Sequence, residues 1–193
     1  MGCRAQKSIT PTKENVQIVN RELSFTGESL ELDAAEGSGM VILNDVSFRT
    51  GTMQLDIKGE NNPGRSFVGI AFNIQNDSTY EAIYFRPFNF ESSEQIRREH
   101  GIQYIYTPDF DWRRLRTENE GEFEAEFINP PSPDEWFSIL VTVENDKVIV
   151  KEADSGKLLM QTRRLSAASS EKFGFWVGNN SRGSFKNLRI QQD

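Results

Sequence analysis

The chain has 193 residues, with 29 Asp and Glu against 22 Lys and Arg, and a net charge of −7. That balance argues against a nucleic-acid partner, which needs a basic face to neutralise phosphates, and no apolar run approaches the roughly 20 residues that cross a bilayer as a helix. Fourteen Phe, four Tyr and three Trp supply the side chains for one sizeable core, and a chain of this length fits one domain.

Taken in order, residues 1–14 are polar and read as a flexible tether, with residues 15–193 as the single domain. Cys3 is the lone cysteine, so no internal disulfide forms. Met53, Leu55 and Ile57 alternate with Gln54, Asp56 and Lys58, the period of a half-buried strand. Residues 66–75 (SFVGIAFNIQ) and 80–90 (YEAIYFRPFNF) read as a hairpin around Asn76-Asp77-Ser78-Thr79. Residues 93–99 are the one helical turn expected, and residues 103–112 read as a lip of mixed aromatics, donors and acids. Phe137, Ile139, Val141 and Val143 alternate next, and Val148 and Val150 follow a turn at residues 144–147. A loop is expected at residues 165–171, a strand at 173–180 and a turn at 179–183. Short period-two strands broken by Asn, Asp and Gly predict an all-β protein built as an antiparallel two-sheet sandwich. Its expected core is Val41, Leu43, Phe48, Leu55, Ile57, Val68, Ile70, Phe72, Ile83, Phe85, Ile139, Val141, Val150, Phe175, Val177 and Ile190.

The order of Trp136-Phe137-Ser138-Ile139, Val148-Ile149-Val150, Gly174-Phe175-Trp176-Val177-Gly178 and Phe185-Lys186-Asn187-Leu188-Arg189-Ile190 resembles laminin-G-like and concanavalin A-like jelly rolls. Gly69-Ile70-Ala71-Phe72 followed by Tyr80-Glu81 resembles the bacterial glycoside-hydrolase-like group associated with 3-keto-disaccharide hydrolysis. Asn73 stands where that group carries an Arg, and Arg86 appears one strand later. The resemblance implies a concanavalin A-like jelly roll acting on a saccharide in a concave sheet groove. The alternative is a non-catalytic module, lectin-like or protein-binding, since a fold hosts many functions. Met1-Gly2-Cys3 resembles the trimmed signal of a bacterial lipoprotein. That would make Cys3 a lipid-attachment site and the protein extracytoplasmic, periplasmic or at the cell surface, with the membrane reached only through the anchor. A doubly acylated Gly2 and Cys3 is a second reading, although Gln6 stands where that motif wants Ser or Thr, and an unremarkable start with no lipid is a third.

The candidate site starts at the hairpin. Pairing around Asp77-Ser78 sets Asn73 against Ala82, Ala71 against Tyr84 and Gly69 against Arg86, leaving Ile70, Phe72 and Ile74 with Phe85, Ile83 and Glu81 on the core face. Small residues beside Tyr84 and Arg86 leave room for a ligand. The blander reading is a tight face under a loop, with Arg86 paired to a carboxylate. Trp176 between Gly174 and Gly178 offers an indole on which a sugar ring can stack, or simply fills the space that glycine leaves. The expected ligand-binding set is Asn73, Tyr84, Arg86, Gln103, Tyr104 and Trp176, with Gln103 or Tyr104 chosen by register. Acid/base candidates are His100, Asp111 and Glu124, with Glu81 further out. Glu31-Leu32-Asp33-Ala34-Ala35-Glu36 matches the spacing of the laminarinase-type glucanase strand, but its early position and paired alanines read as a solvated strand. No cofactor or metal is expected. His100 has no second His or Cys for zinc. Asp109 with Asp111 could help hold Ca²⁺, which related jelly rolls sometimes bind, but two carboxylates are too few to define such a site.

Overall fold

Along Gly51–Lys58 every second side chain is buried and the others half-buried, the pattern of a strand with one face against a core. The same logic repeats through the computed structural model, which describes residues 6–193; Cys3 lies outside the described residues. Its strands are β1 (Lys7–Ser8), β2 (Val16–Val19), β3 (Leu23–Thr26), β4 (Ser29–Leu32), β5 (Gly39–Leu43), β6 (Gly51–Lys58), β7 (Val68–Asn76) and β8 (Thr79–Phe85). There follow α1 (Gln95–Glu99), β9 (Ile102–Thr107), α2 (Trp112–Glu118), β10 (Glu124–Ala125), β11 (Phe137–Val143), β12 (Lys147–Glu152), β13 (Leu158–Arg163), β14 (Gly174–Val177) and β15 (Gly183–Gln192). One sheet runs β13-β12-β11-β6-β15-β4-β3, with β1 beside β15. The other runs β10-β9-β8-β7-β14-β5-β2, and every pairing is antiparallel. Within the segment expected as a tether, Lys7 and Ser8 pair with Ile190 and Arg189.

The core lies between the sheets. Phe85 meets Phe137 at 5.0 Å between ring centres, and Phe175 meets Phe185 at 4.9 Å. Each of these pairs joins one sheet to the other, and each buried side chain contributes about 1.5–3 kcal/mol. Every residue expected in the core is buried. Among the described residues no helix is long and apolar enough to cross a membrane.

Three local expectations need correction. The hairpin opens in the expected register, Asn76 opposite Thr79, but the ladder slips between Phe72 and Asn76. Beyond the slip Ala71 faces Ala82 and Gly69 faces Tyr84, so Arg86 does not face Gly69. Asn73 sits at the irregularity with φ of 50°, a left-handed conformation that Asn tolerates better than most residues. A slip of two leaves each side chain on its expected face, because the strand period is two. The strand from Tyr80 ends at Phe85 rather than Phe90, since Pro87 has no N–H to give a ladder and opens a 3₁₀ turn instead. The lip expected at residues 103–112 is a strand followed by a helix: α2 begins where Asp111 accepts the Arg114 amide at 2.8 Å.

Candidate functional site

The face of the second sheet turned away from the core carries Tyr80, Ala82 and Tyr84 from β8. Pairing places Gly69 and Ala71 of β7, Gln103 of β9 and Trp176 of β14 on that same face. The small residues there answer to the backbone. A Cβ on Gly69 would run into the Ile83 carbonyl oxygen and lie 2.6 Å from the Tyr84 Cα, and one on Gly174 would run into the Val41 carbonyl. Trp176 is 4% exposed, its ring 5.0 Å from that of Tyr84 and its N–H donating to the Tyr80 hydroxyl at 3.0 Å. The indole is thus packed within an aromatic cluster.

At the end of β8 stands Arg86, 5% exposed. Its Nη1 donates to the His100 carbonyl at 2.7 Å and to Glu124 Oε1 at 3.4 Å, and its Nη2 to the Tyr84 hydroxyl at 2.9 Å and Gln103 Oε1 at 3.1 Å. Both η nitrogens are therefore engaged by the protein, and the planar fork that would grip adjacent sugar hydroxyls is turned inward. Glu124 comes from the edge strand β10, opposite Gln103. Arg116 of α2 grips both of its oxygens, one through Nε at 3.0 Å and the other through Nη2. His100 Nε2 lies 3.5 Å from Oε2. Burial lowers the His100 pKa, and the pull of Glu124 is countered by Arg116 and Arg86. Burial likewise raises the Tyr84 hydroxyl, so it stays protonated as the acceptor of Arg86.

Outside this ion-pair cluster opens a cavity of about 270 Å³, lined by Gly64, Phe67, Arg86, Phe88, Asn89, His100, Trp112 and Arg116. At about 30 Å³ per water it holds roughly nine waters, the scale of one sugar ring. Phe67 and Phe88 meet edge to face at 5.7 Å. Trp112 is 39% exposed, with the guanidiniums of Arg113 and Arg116 at 5.2 and 5.1 Å from its ring. Larger hollows of 390 and 470 Å³ border the N-terminal segment, and one of 370 Å³ is lined by Phe88, Glu91, Glu94 and Arg97, but none of the three has a His or Trp in its lining.

The sequence matches no family model and no curated protein. Solved structures do match in shape. The carbohydrate-binding module CBM66 from Bacillus subtilis superposes with a TM-score of 0.63 at 13% identity, over 92% of this chain and 96% of that one. The Bacillus licheniformis β-glucanase gives 0.63 at 9% identity over 100% and 99%. The lumenal domain of VIP36, in its Ca²⁺- and Man3GlcNAc-bound form, gives 0.61 at 12% identity over 96% and 89%. The protein is a concanavalin A-like jelly-roll sandwich. At such identities the likeness is one of fold.

Within this sandwich the sequence-expected site residues separate into two groups. Tyr84, Arg86, Gln103, His100 and Glu124 meet in the ion-pair cluster, with Trp176 beside Tyr84, and of these Arg86 and His100 line the cavity. Glu81, Tyr104 and Asn73 meet elsewhere. Tyr104 pairs with Ile83 and so faces the core, which leaves Gln103 as the β9 member of the outer face. Glu81 is fully buried and takes Arg164 Nη2 at 2.6 Å, Asn73 Nδ2 at 2.6 Å and the Tyr104 hydroxyl. Asn73 also reaches Ser166 and the Ala168 carbonyl, and accepts the Ser170 amide at 2.7 Å. That network pins the loop after β13 across the hairpin, and it occupies both oxygens of Glu81. Asp111 is committed to capping α2. Glu31 pairs with Ser184 on β15, while Asp33, beyond the end of β4, caps the Glu22 amide. Among the described residues no three His, Cys, Asp or Glu gather as metal ligands.

Sequence reading missed Phe67, Phe88, Asn89 and Arg116, and had Trp112 only as the last residue of a lip at 103–112. One signal was available: Trp112 and Arg116 are spaced i, i+4 directly after an N-capping Asp, which sets both on one face of a helix.

Proposed function

We propose that the protein is an extracytoplasmic saccharide-binding module that holds one sugar ring in the cavity between Trp112, Phe67 and Phe88. One observation carries this reading. The cavity joins three aromatic walls to a few convergent polar groups, Arg86, Asn89, His100 and Arg116, the mixture that small polar ligands require. Aromatic faces take up the C–H face of a pyranose, and Asn89, His100 and Arg116 take its hydroxyls, the fork of Arg86 being turned inward. In support, two of the similar folds are by name a carbohydrate-binding module and a domain with a mannose-containing ligand. A lipid on Cys3 would anchor the module to a membrane surface.

A second reading has its own support. His100 lines the cavity with Glu124 behind it at 3.5 Å, the arrangement of a base and the carboxylate that orients it. On that reading the protein is a hydrolase of the glycoside-hydrolase-like group, and a 3-keto-disaccharide is the substrate to try first. Both carboxylate oxygens of Glu124 already accept from arginine, which makes the binding role the better supported of the two. Screening on a glycan array, followed by product analysis of every hit, tests both. Binding without cleavage is the expected result. Turnover lost in His100→Ala would establish the hydrolase, and the absence of any glycan ligand would refute both.

A further inference from the structure

The cavity has an unusual charge for this protein. The chain carries a net charge of −7, yet two arginines and a histidine line the cavity and none of its 29 acidic residues does. Glu124 sits behind the lining, 4% exposed at its side chain, and is shared by Arg86, Arg116 and His100. One carboxylate therefore faces two guanidiniums, so the lining itself is positive, while Glu99 and Asp111 act on His100 and Tyr84 from outside it. Arg116 meets Glu124 through Nε and Nη2, which leaves Nη1 as a charged donor on a side chain that is 32% exposed. Arg113 adds a further cation over the ring of Trp112.

Excess positive charge at a partly desolvated wall favours an anion there, because a charge removed from water is stabilised by an opposite charge and a hydrogen bond. We propose that the ring held in this cavity carries a carboxylate, as a uronate does, and that Arg116 Nη1 receives it. This rests on the saccharide-binding reading above. Ring stacking on Trp112 would supply the sequence-tolerant part of the affinity, and Arg116 the selectivity for acid.

The test uses matched oligosaccharide pairs, oligogalacturonate and oligoglucuronate each against its carboxyl methyl ester, titrated calorimetrically into the full chain. A sulfated neutral oligosaccharide and an unmodified neutral one complete the panel. The expected result is that the acid binds at least tenfold more tightly than its ester, and that raising salt from 0.15 to 1 M narrows the gap. Arg116→Gln should erase the preference for acid while retaining the residual binding seen with the ester. Trp112→Ala should weaken acid and ester alike, and thermal melts check that both variants fold. Equal binding of acid, ester and neutral sugar would overturn the carboxylate assignment and leave the saccharide reading standing. Preference for the sulfated chain over the uronates would also overturn it. If no member of the panel or of the glycan array binds, the saccharide reading falls and the assignment with it.

Discussion

Replacing Arg86 by Ala should cost the fold about 3 kcal/mol, and the figure follows from what surrounds the guanidinium. Removing one partner from a buried ion pair costs about 3–5 kcal/mol when the other is stranded. Here Glu124 is not stranded, because Arg116 still holds both of its oxygens, so the low end applies. Against this, the Tyr84 hydroxyl, Gln103 Oε1 and the His100 carbonyl each lose a donor. An unmet buried group costs about 1–3 kcal/mol, but water from the adjoining 270 Å³ cavity can reach these. The two corrections oppose each other and leave about 3 kcal/mol. For a domain of this size that lowers Tm by about 6–12 °C, and since domains are stable by about 5–15 kcal/mol the variant still folds. Urea denaturation with an unchanged m-value, checked by a thermal melt, measures it. Arg86→Lys should recover part of the loss, since it keeps the charge but not the fork. A loss below about 1 kcal/mol would refute the structural role and return Arg86 to the ligand as a free donor.

Two further outcomes are expected. Gly69→Ala should destabilise more than an ordinary sheet substitution, because its Cβ meets backbone rather than a movable side chain; a melt within 2 °C of the parent, a shift of at most about 1 kcal/mol, would contradict that. Because burial lowers the His100 pKa in the folded protein, the unfolded chain takes up the proton first. The stability this residue contributes is complete above about pH 6.5 and is lost as pH falls below it. Melting temperatures from pH 7.5 to 5.5 should fall more steeply for the parent than for His100→Gln, and identical slopes would show that His100 takes no part.

How much of this was legible beforehand depended on the range of the interaction. Alternation at Met53, Leu55 and Ile57, or at Ile139 and Val141, is a local signal read against one face, and it placed the sheets and core correctly. The hairpin showed its faces but not its full register, because the slip depends on Asn73 taking φ of 50° beneath a loop about 95 residues away. The helix α2 was hidden for another reason. Its sequence, Trp-Arg-Arg-Leu-Arg-Thr-Glu, buries only Leu115, so it has no apolar stripe to reveal a helical period. The partner of Arg86 lies 38 residues away among 29 carboxylates, and no local pattern distinguishes Glu124 from the rest.

The strand order has a consequence for how this chain must assemble. Among the described residues, β3 and β4 join their sheet only through β15, and β2 and β5 join theirs only through β14. The strands synthesised first thus wait for the strands synthesised late. Until β14 and β15 emerge, the early strands can form little more than isolated hairpins, with Leu30, Leu32, Met40 and Ile42 still in water. Two-stranded pieces of that kind are marginal by themselves, and pairings between distant segments form slowly. A chain truncated before Gly174 would lose both joints at once, not a peripheral strand. Its strands should fall into four unlinked pieces, β6-β11-β12-β13, β3-β4, β7-β8-β9-β10 and β2-β5, prone to associate with neighbouring chains. The late pair therefore acts as a keystone: it is set last, and β2 to β5 hang from it.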